Sequence, residues 1–293
     1  FELNSINKEV DLEAINRYLA FLWCPGEGTP IRSVKKLAPG EALIVKSGEI
    51  VKQWQWFQLP IFKGQSKDLG KKEAISETTN KLRQAVHRQM ISDVPLGAFL
   101  SGGLDSSSVV AFARELNPDI KCFTIDTKGE QDKGFIDDLP YAKKVAKHLN
   151  ISLDVISVDS KKIAEDLQSM VIQLDEPLAD LASLNVKYIS QLARENGIKV
   201  LLSGAGGDDI FTGYRRHYAL ELEKYWNWLP SNIRASIENS TRFLNTNKSF
   251  QRRLSKLFSA ASLNNDERLI NYFRWTSDEN LQSLYSESVK DQL

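Results

Sequence analysis

The chain of 293 residues is long enough for one large or two ordinary domains with a sizeable core. Its 42% hydrophobic and 26% charged residues are those of a soluble globular protein, and 38 Lys and Arg against 38 Asp and Glu leave no bulk field to attract nucleic acid or an anionic membrane. Two cysteines outside any C-x-x-C pair, Cys24 and Cys122, exclude a disulfide scaffold and a zinc site, and the lack of a signal peptide or a membrane-length apolar run points to the cytoplasm.

Residues 1–60 read as one unit. Asp11 to Leu22 is predicted as a helix, with Leu12, Ile15, Leu19 and Leu22 on one face and Asp11 as its cap. Glu41 to Val45 and Glu49 to Trp54 are predicted strands, joined through the turn signal Ser47-Gly48. The polar stretch ending at Lys72 reads as a linker over 61–72, and residues 73–293 as a second domain.

From Glu73 the patterns alternate. Helices are predicted at Glu73–Met90, Ser107–Leu116, Asp138–Leu149, Lys161–Leu174 and Val186–Asn196, and strands at Val94–Leu100, Ile120–Ile125, Ile151–Val158 and Ile198–Leu202. Such alternation argues for a doubly wound, mainly parallel α/β sheet. Beyond Tyr214 the pattern is helical and irregular, broken near Trp226, Trp228 and Pro230. The chain opens at Phe1 and stops at Leu293 without a terminating feature, so it reads as a piece of a longer protein.

Ser101-Gly102-Gly103-Leu104-Asp105-Ser106-Ser107 lies between a predicted strand and a predicted helix. A strand, a Gly-rich turn and a helix N-terminus make an anion site, because the first-turn amides lack intrahelical partners. Asp105 beside bound phosphates would repel them unless a divalent cation intervened, which predicts Mg²⁺. The lysine of a P-loop is absent, so a loop gripping the pyrophosphate of ATP cleaved between its α and β phosphates fits better than γ-phosphoryl transfer.

This heptapeptide resembles the signature loop of the ATP pyrophosphatases. A second loop, Leu202-Ser203-Gly204-Ala205-Gly206-Gly207-Asp208-Asp209-Ile210-Phe211-Thr212-Gly213-Tyr214, resembles the L-S-G-x-G-x-D-E-x-F-x-G-Y element of glutamine-hydrolysing asparagine synthetases. The resemblance implies an adenine nucleotide α-hydrolase-like fold, preceded by a β-rich remnant of an N-terminal-nucleophile glutaminase domain. Ile31 to Leu43 resembles that domain's closing segment, but its catalytic N-terminal cysteine is missing, and Cys24, being internal, cannot replace it.

By the same resemblance, Leu100, Ser101, Gly102, Gly103, Asp105, Ser106, Ile125, Ser203 and Gly204 contact ATP, and Asp208 joins Asp105 at Mg²⁺. On sequence alone Ile125 is an ordinary strand residue, and Asp208 and Asp209 could equally be turn acids bonding local amides. Asp175-Glu176-Pro177-Leu178-Ala179-Asp180 resembles the family's acidic segment near the acceptor pocket, giving Asp175, Glu176 and Asp180 as substrate candidates, with a partner cation or a solvated loop as alternatives. The implied reaction is ATP-dependent amidation of a carboxylate, first of all aspartate, through an acyl-adenylate. Its ammonia comes from glutamine, its products are AMP and pyrophosphate, and its partners are small molecules, with neither nucleic acid nor membrane; a homodimer is among the expectations.

Two departures stand out. Ala205 occupies a position where many relatives carry Glu, which leaves a carboxylate other than aspartate as a rival acceptor. The family's catalytic lysine and its D-R-x-S-M-like helix are not found before Leu293. A tRNA-modifying or nucleotide-amidating relative, and a non-catalytic nucleotide-binding module, are the competing classes. Arg215-Arg216-His217 reads as a solvent-facing helix start or a phosphate-neutralising cluster, and His87 and His148 as surface residues.

Overall fold

In a computed structural model the structure describes residues 7–59, 69–128, 138–180, 182–245 and 248–293. Two compact units are formed, one from residues 37–175 and 179–207, the other from 1–36, 176–178 and 208–293. Most of the 61–72 segment expected as a linker lies outside the described residues, and its last two residues already belong to a helix.

The first unit begins with strands β1 (Glu41–Lys46) and β2 (Glu49–Gln55), an antiparallel hairpin. Ser47 (φ 54°) and Gly48 (φ 84°) both take positive φ, as the tight turn expected there requires. Ile44, Val45, Ile50 and Val51 remain exposed. Next come α2 (Lys71–Gln89), β3 (Leu96–Phe99), α3 (Leu104–Leu116), β4 (Lys121–Lys128), α4 (Leu139–Leu149), β5 (Leu153–Asp159), α5 (Ser160–Gln173), α6 (Ala182–Glu195) and β6 (Val200–Leu202). Each expected element is present, with ends moved by a few residues.

Strands β3 to β6 form a parallel sheet in the order β5-β4-β3-β6. Alternating side chains point to opposite faces. Ala98, Leu100 and Cys122 pack with Val86, Val110, Ala113, Ala142 and Ala146 from α2, α3 and α4. Phe123 packs with Ile189 and Ala193 of α6, and Val158 with Met170 of α5 and with Leu184 and Tyr188 of α6. Helices therefore cover both faces, as the alternation predicts. Burial pushes the Cys122 thiol up to about 12, so it is an inert packing group.

The second unit holds α1 (Leu12–Phe21), α7 (Gly207–Ile210, which starts at the boundary), α8 (Arg215–Glu223), α9 (Ser231–Arg242), α10 (Ser249–Phe258), α11 (Asn265–Phe273), α12 (Asp278–Leu284) and α13 (Glu287–Lys290). Asp11 caps α1 by accepting the Ala14 N–H at 3.0 Å. Cys24 is buried, with its thiol donating to the Gly28 carbonyl at 3.2 Å. Among the described residues no helix is long and apolar enough to cross a membrane.

Candidate functional site

The strand order sets the position of the site. From β3 the chain proceeds outward through β4 and β5, and later returns to β3's other side as β6. The order reverses between β3 and β6, and in open α/β sheets ligands bind beyond the strands' carboxyl ends at that switch point. Ser101 follows β3 and Ser203 follows β6, so both motif loops leave the sheet there.

The first loop is held by its own hydroxyls. The Ser106 Oγ accepts the Ser101 N–H at 3.3 Å, lies 2.9 Å from the Ser101 Oγ and donates to the Gly103 carbonyl at 3.3 Å. The Ser101 Oγ accepts the Gly103 N–H at 3.3 Å. Gly102 has φ +82°, and a Cβ there would meet the Ala142 amide nitrogen and lie 2.5 Å from the Tyr141 carbonyl carbon. The loop thus sits directly on the first turn of α4, where only glycine fits. Gly103 caps α3 without a side chain of its own.

The second loop closes on the first. A Cβ on Gly204 would lie 2.6 Å from the Ser106 nitrogen and 2.8 Å from the Asp105 carbonyl carbon, and one on Gly207 would collide with the Asp105 carboxylate. Asp105 is half-buried. Among the expected nucleotide contacts, Ser101, Gly102, Gly103, Asp105, Ser106, Ser203 and Gly204 are brought to one place. Leu100 is 1% exposed in the core and its N–H donates to the Phe123 carbonyl, while Ile125 is partly buried against the α5 and α6 face.

Asp208 and Asp209 lie in the second unit. The Asp208 carbonyl accepts the Gly213 N–H at 2.9 Å, and a Cβ on Gly213 would strike the Asp208 carboxylate. Asp209 accepts from the Arg216 guanidinium at 3.3 Å. The acidic segment separates into distinct environments. Glu176 is half-buried and paired with the Lys36 ammonium at 2.9 and 3.2 Å, the partner cation expected as one alternative. Asp180 accepts the Ala182 N–H at 2.9 Å, and Asp175 is exposed.

Other groups escaped the sequence reading. The Ser107 Oγ is buried and has no hydrogen-bond partner among the described residues, although it belongs to the loop motif itself. His87 lies beside Glu115 at 3.1 Å with its side chain 29% exposed, and His148 is exposed as expected. Among the described residues no group of three or more His, Cys, Asp or Glu side chains gathers to hold a metal by itself. A Mg²⁺ ion bound by one or two carboxylates needs phosphate and water oxygens to complete its shell.

A parallel sheet covered by helices on both faces, with two Gly-rich loops meeting at its switch point, defines a doubly wound α/β protein. The asparagine synthase family model matches residues 77–292, and the chain belongs to that family. It is 31% identical over 229 residues to asparagine synthetase [glutamine-hydrolyzing] 1 of Bacillus subtilis, covering 77% of this chain and 34% of that protein. It is 33% identical over 219 residues to the putative asparagine synthetase [glutamine-hydrolyzing] 2 of Methanocaldococcus jannaschii, covering 73% and 41%. The chain thus spans a third to two-fifths of the length of these relatives. Among solved structures, an NH3-dependent NAD synthetase from Campylobacter jejuni matches at 12% identity and a TM-score of 0.33, covering 67% of this chain and 95% of that one.

Proposed function

We propose that this chain is the ATP-binding part of an enzyme that amidates a carboxylate, with aspartate as acceptor and asparagine as product. The carboxylate oxygen attacks the α-phosphorus of ATP, pyrophosphate leaves, and ammonia from glutamine displaces AMP from the acyl carbon, so one carboxylate oxygen ends on AMP. The observation that supports the reading is the seating of Gly204 on the Asp105–Ser106 backbone, which brings the family's two loops together. The first-turn amides of α3, which lack intrahelical partners, suit the pyrophosphate.

In this reading Asp105 is a carboxylate for Mg²⁺, and the family resemblance gives Asp208 the same role; the ion would neutralise the leaving pyrophosphate. The antiparallel β1–β2 hairpin, on which Ile44, Val45, Ile50 and Val51 are exposed, supports reading it as part of the glutaminase remainder expected over residues 1–60. With carboxylate-¹⁸O aspartate, the full-length protein is expected to release AMP bearing one ¹⁸O; unlabelled AMP would contradict the acyl-adenylate.

A different carboxylate acceptor is the second reading, favoured by Ala205. Its methyl group can neither move a proton nor hold a cation, and its N–H donates to the Ser203 Oγ at 3.1 Å. Ala205→Glu is expected to raise aspartate-dependent turnover if aspartate is the acceptor, and to redirect or suppress turnover if another acid is.

A further inference from the structure

The second loop runs into α7, a helix of four residues. One turn cannot hold its own shape in water. Nor does apolar burial anchor it, since Ile210 is 76% exposed and Phe211 52%. Thr212 adopts a positive φ of 56° in the turn that follows. Something else must fix this segment if Asp208 is to present its carboxylate reproducibly.

Arg216, in the first turn of α8, supplies the hold. Its guanidinium carbon lies 3.9 Å from the Tyr214 ring centroid and 4.7 Å from that of Phe273, at the end of α11. The planar fork, flanked by two rings, reaches back to the Asp209 Oδ1 at 3.3 Å. Tyr214 also packs on His217, with ring centroids 5.6 Å apart. An exposed ion pair alone contributes little. Here the cation is already immobilised by stacking, so less freedom is lost when it takes the carboxylate.

We propose that Arg216 is a positioning residue: held by Tyr214 and Phe273, it clamps Asp209 and thereby sets the turn that carries Asp208. The role rests on the amidation reading, in which Asp208 is a carboxylate ligand of Mg²⁺. Arg216 touches no substrate in it and acts through Asp209.

The test uses the full-length protein with Arg216→Met, Asp209→Asn and the double variant. Mn²⁺ with ATP is the probe, bound metal being read by EPR, with melting temperature measured alongside. Each single variant is expected to weaken Mn²⁺·ATP binding by roughly threefold to tenfold. The double variant should be no worse than the weaker single one, because the pair acts as a unit. Arg216→Lys, a point charge without the planar fork, should recover only part of the loss. Since Asp209 is exposed, Asp209→Asn should leave the melting temperature in place. Unchanged Mn²⁺·ATP binding in that variant, or additive losses in the double one, overturns the clamp. A wild type that binds Mn²⁺·ATP yet forms no AMP with any carboxylate contradicts the amidation reading alone, and the binding comparison still decides the clamp.

Discussion

Gly102→Ala tests whether the loop at residues 101–107 is fixed by contact with α4. Two costs add. A side chain at φ +82° costs about 1–2 kcal/mol against the left-handed conformation. The new methyl would also meet the Ala142 nitrogen and lie 2.5 Å from the Tyr141 carbonyl carbon, backbone atoms that cannot swing away. Overpacking of that kind costs about 1–3 kcal/mol. The sum is about 2–5 kcal/mol, a large share of the stability of an ordinary domain. Two controls separate the costs. Gly206 has φ +88° but open space around it, so Gly206→Ala should lose only the conformational part, about 1–2 kcal/mol. Gly103 has φ −68°, and its nearest neighbour to a new Cβ would be the Ser101 Oγ at 3.4 Å, so Gly103→Ala should lose less than about 1 kcal/mol. Urea unfolding followed by circular dichroism gives all three values. A Gly102→Ala loss no larger than that of Gly206→Ala would refute close seating of the loop on α4.

Asp105→Ala is expected to cut AMP formation by roughly 10²–10³ while leaving the circular dichroism spectrum and melting temperature unchanged; retained turnover would remove Asp105 from the metal site. Arg268→Met should destabilise the fold by about 3–5 kcal/mol, because it leaves Glu223, paired at 3.0 Å with a 3%-exposed Arg268 side chain, buried without its cation. Adding Glu223→Gln should restore part of that loss, read from the same urea curves. Burial alone would raise the Glu238 carboxyl, but bonds from the Ser262 Oγ and N–H and from Arg242 outweigh it and hold the group below its usual 4.5. A depressed carboxylate stabilises the fold above about pH 4.5 and loses that contribution as pH falls through the folded value. Glu238→Gln should therefore flatten the fall in melting temperature on acidification.

The sheet was legible because its determinants are local. Apolar runs of strand length alternating with amphipathic helices leave few topologies, and the right-handed crossover rule selects among them. Both site loops were legible because glycines at strand ends mark positions where no Cβ fits, as Gly102 against α4 and Gly204 against α3 bear out. What escaped depends on residues far apart in sequence. The sequence offers a partner cation for Glu176 as one alternative but does not single out Lys36, 140 residues away, and nothing in it pairs Glu223 with Arg268 inside the fold. Arg216 falls in this group too. Its neighbours in sequence suggest a solvated helix start, and only the folded chain brings the Phe273 ring against it. Ser107 is different, for nothing in its spacing separates a buried, unpartnered hydroxyl from the hydrogen-bonded Ser106 beside it.

In the proposed function the two loops form one site for ATP cleaved between its α and β phosphates during amidation. Phosphorus NMR of the full-length protein with Mg·ATP, ammonia and aspartate tests it most directly. AMP and pyrophosphate are expected in equal amounts, formed only when the carboxylate is present. ADP and inorganic phosphate in their place would contradict it.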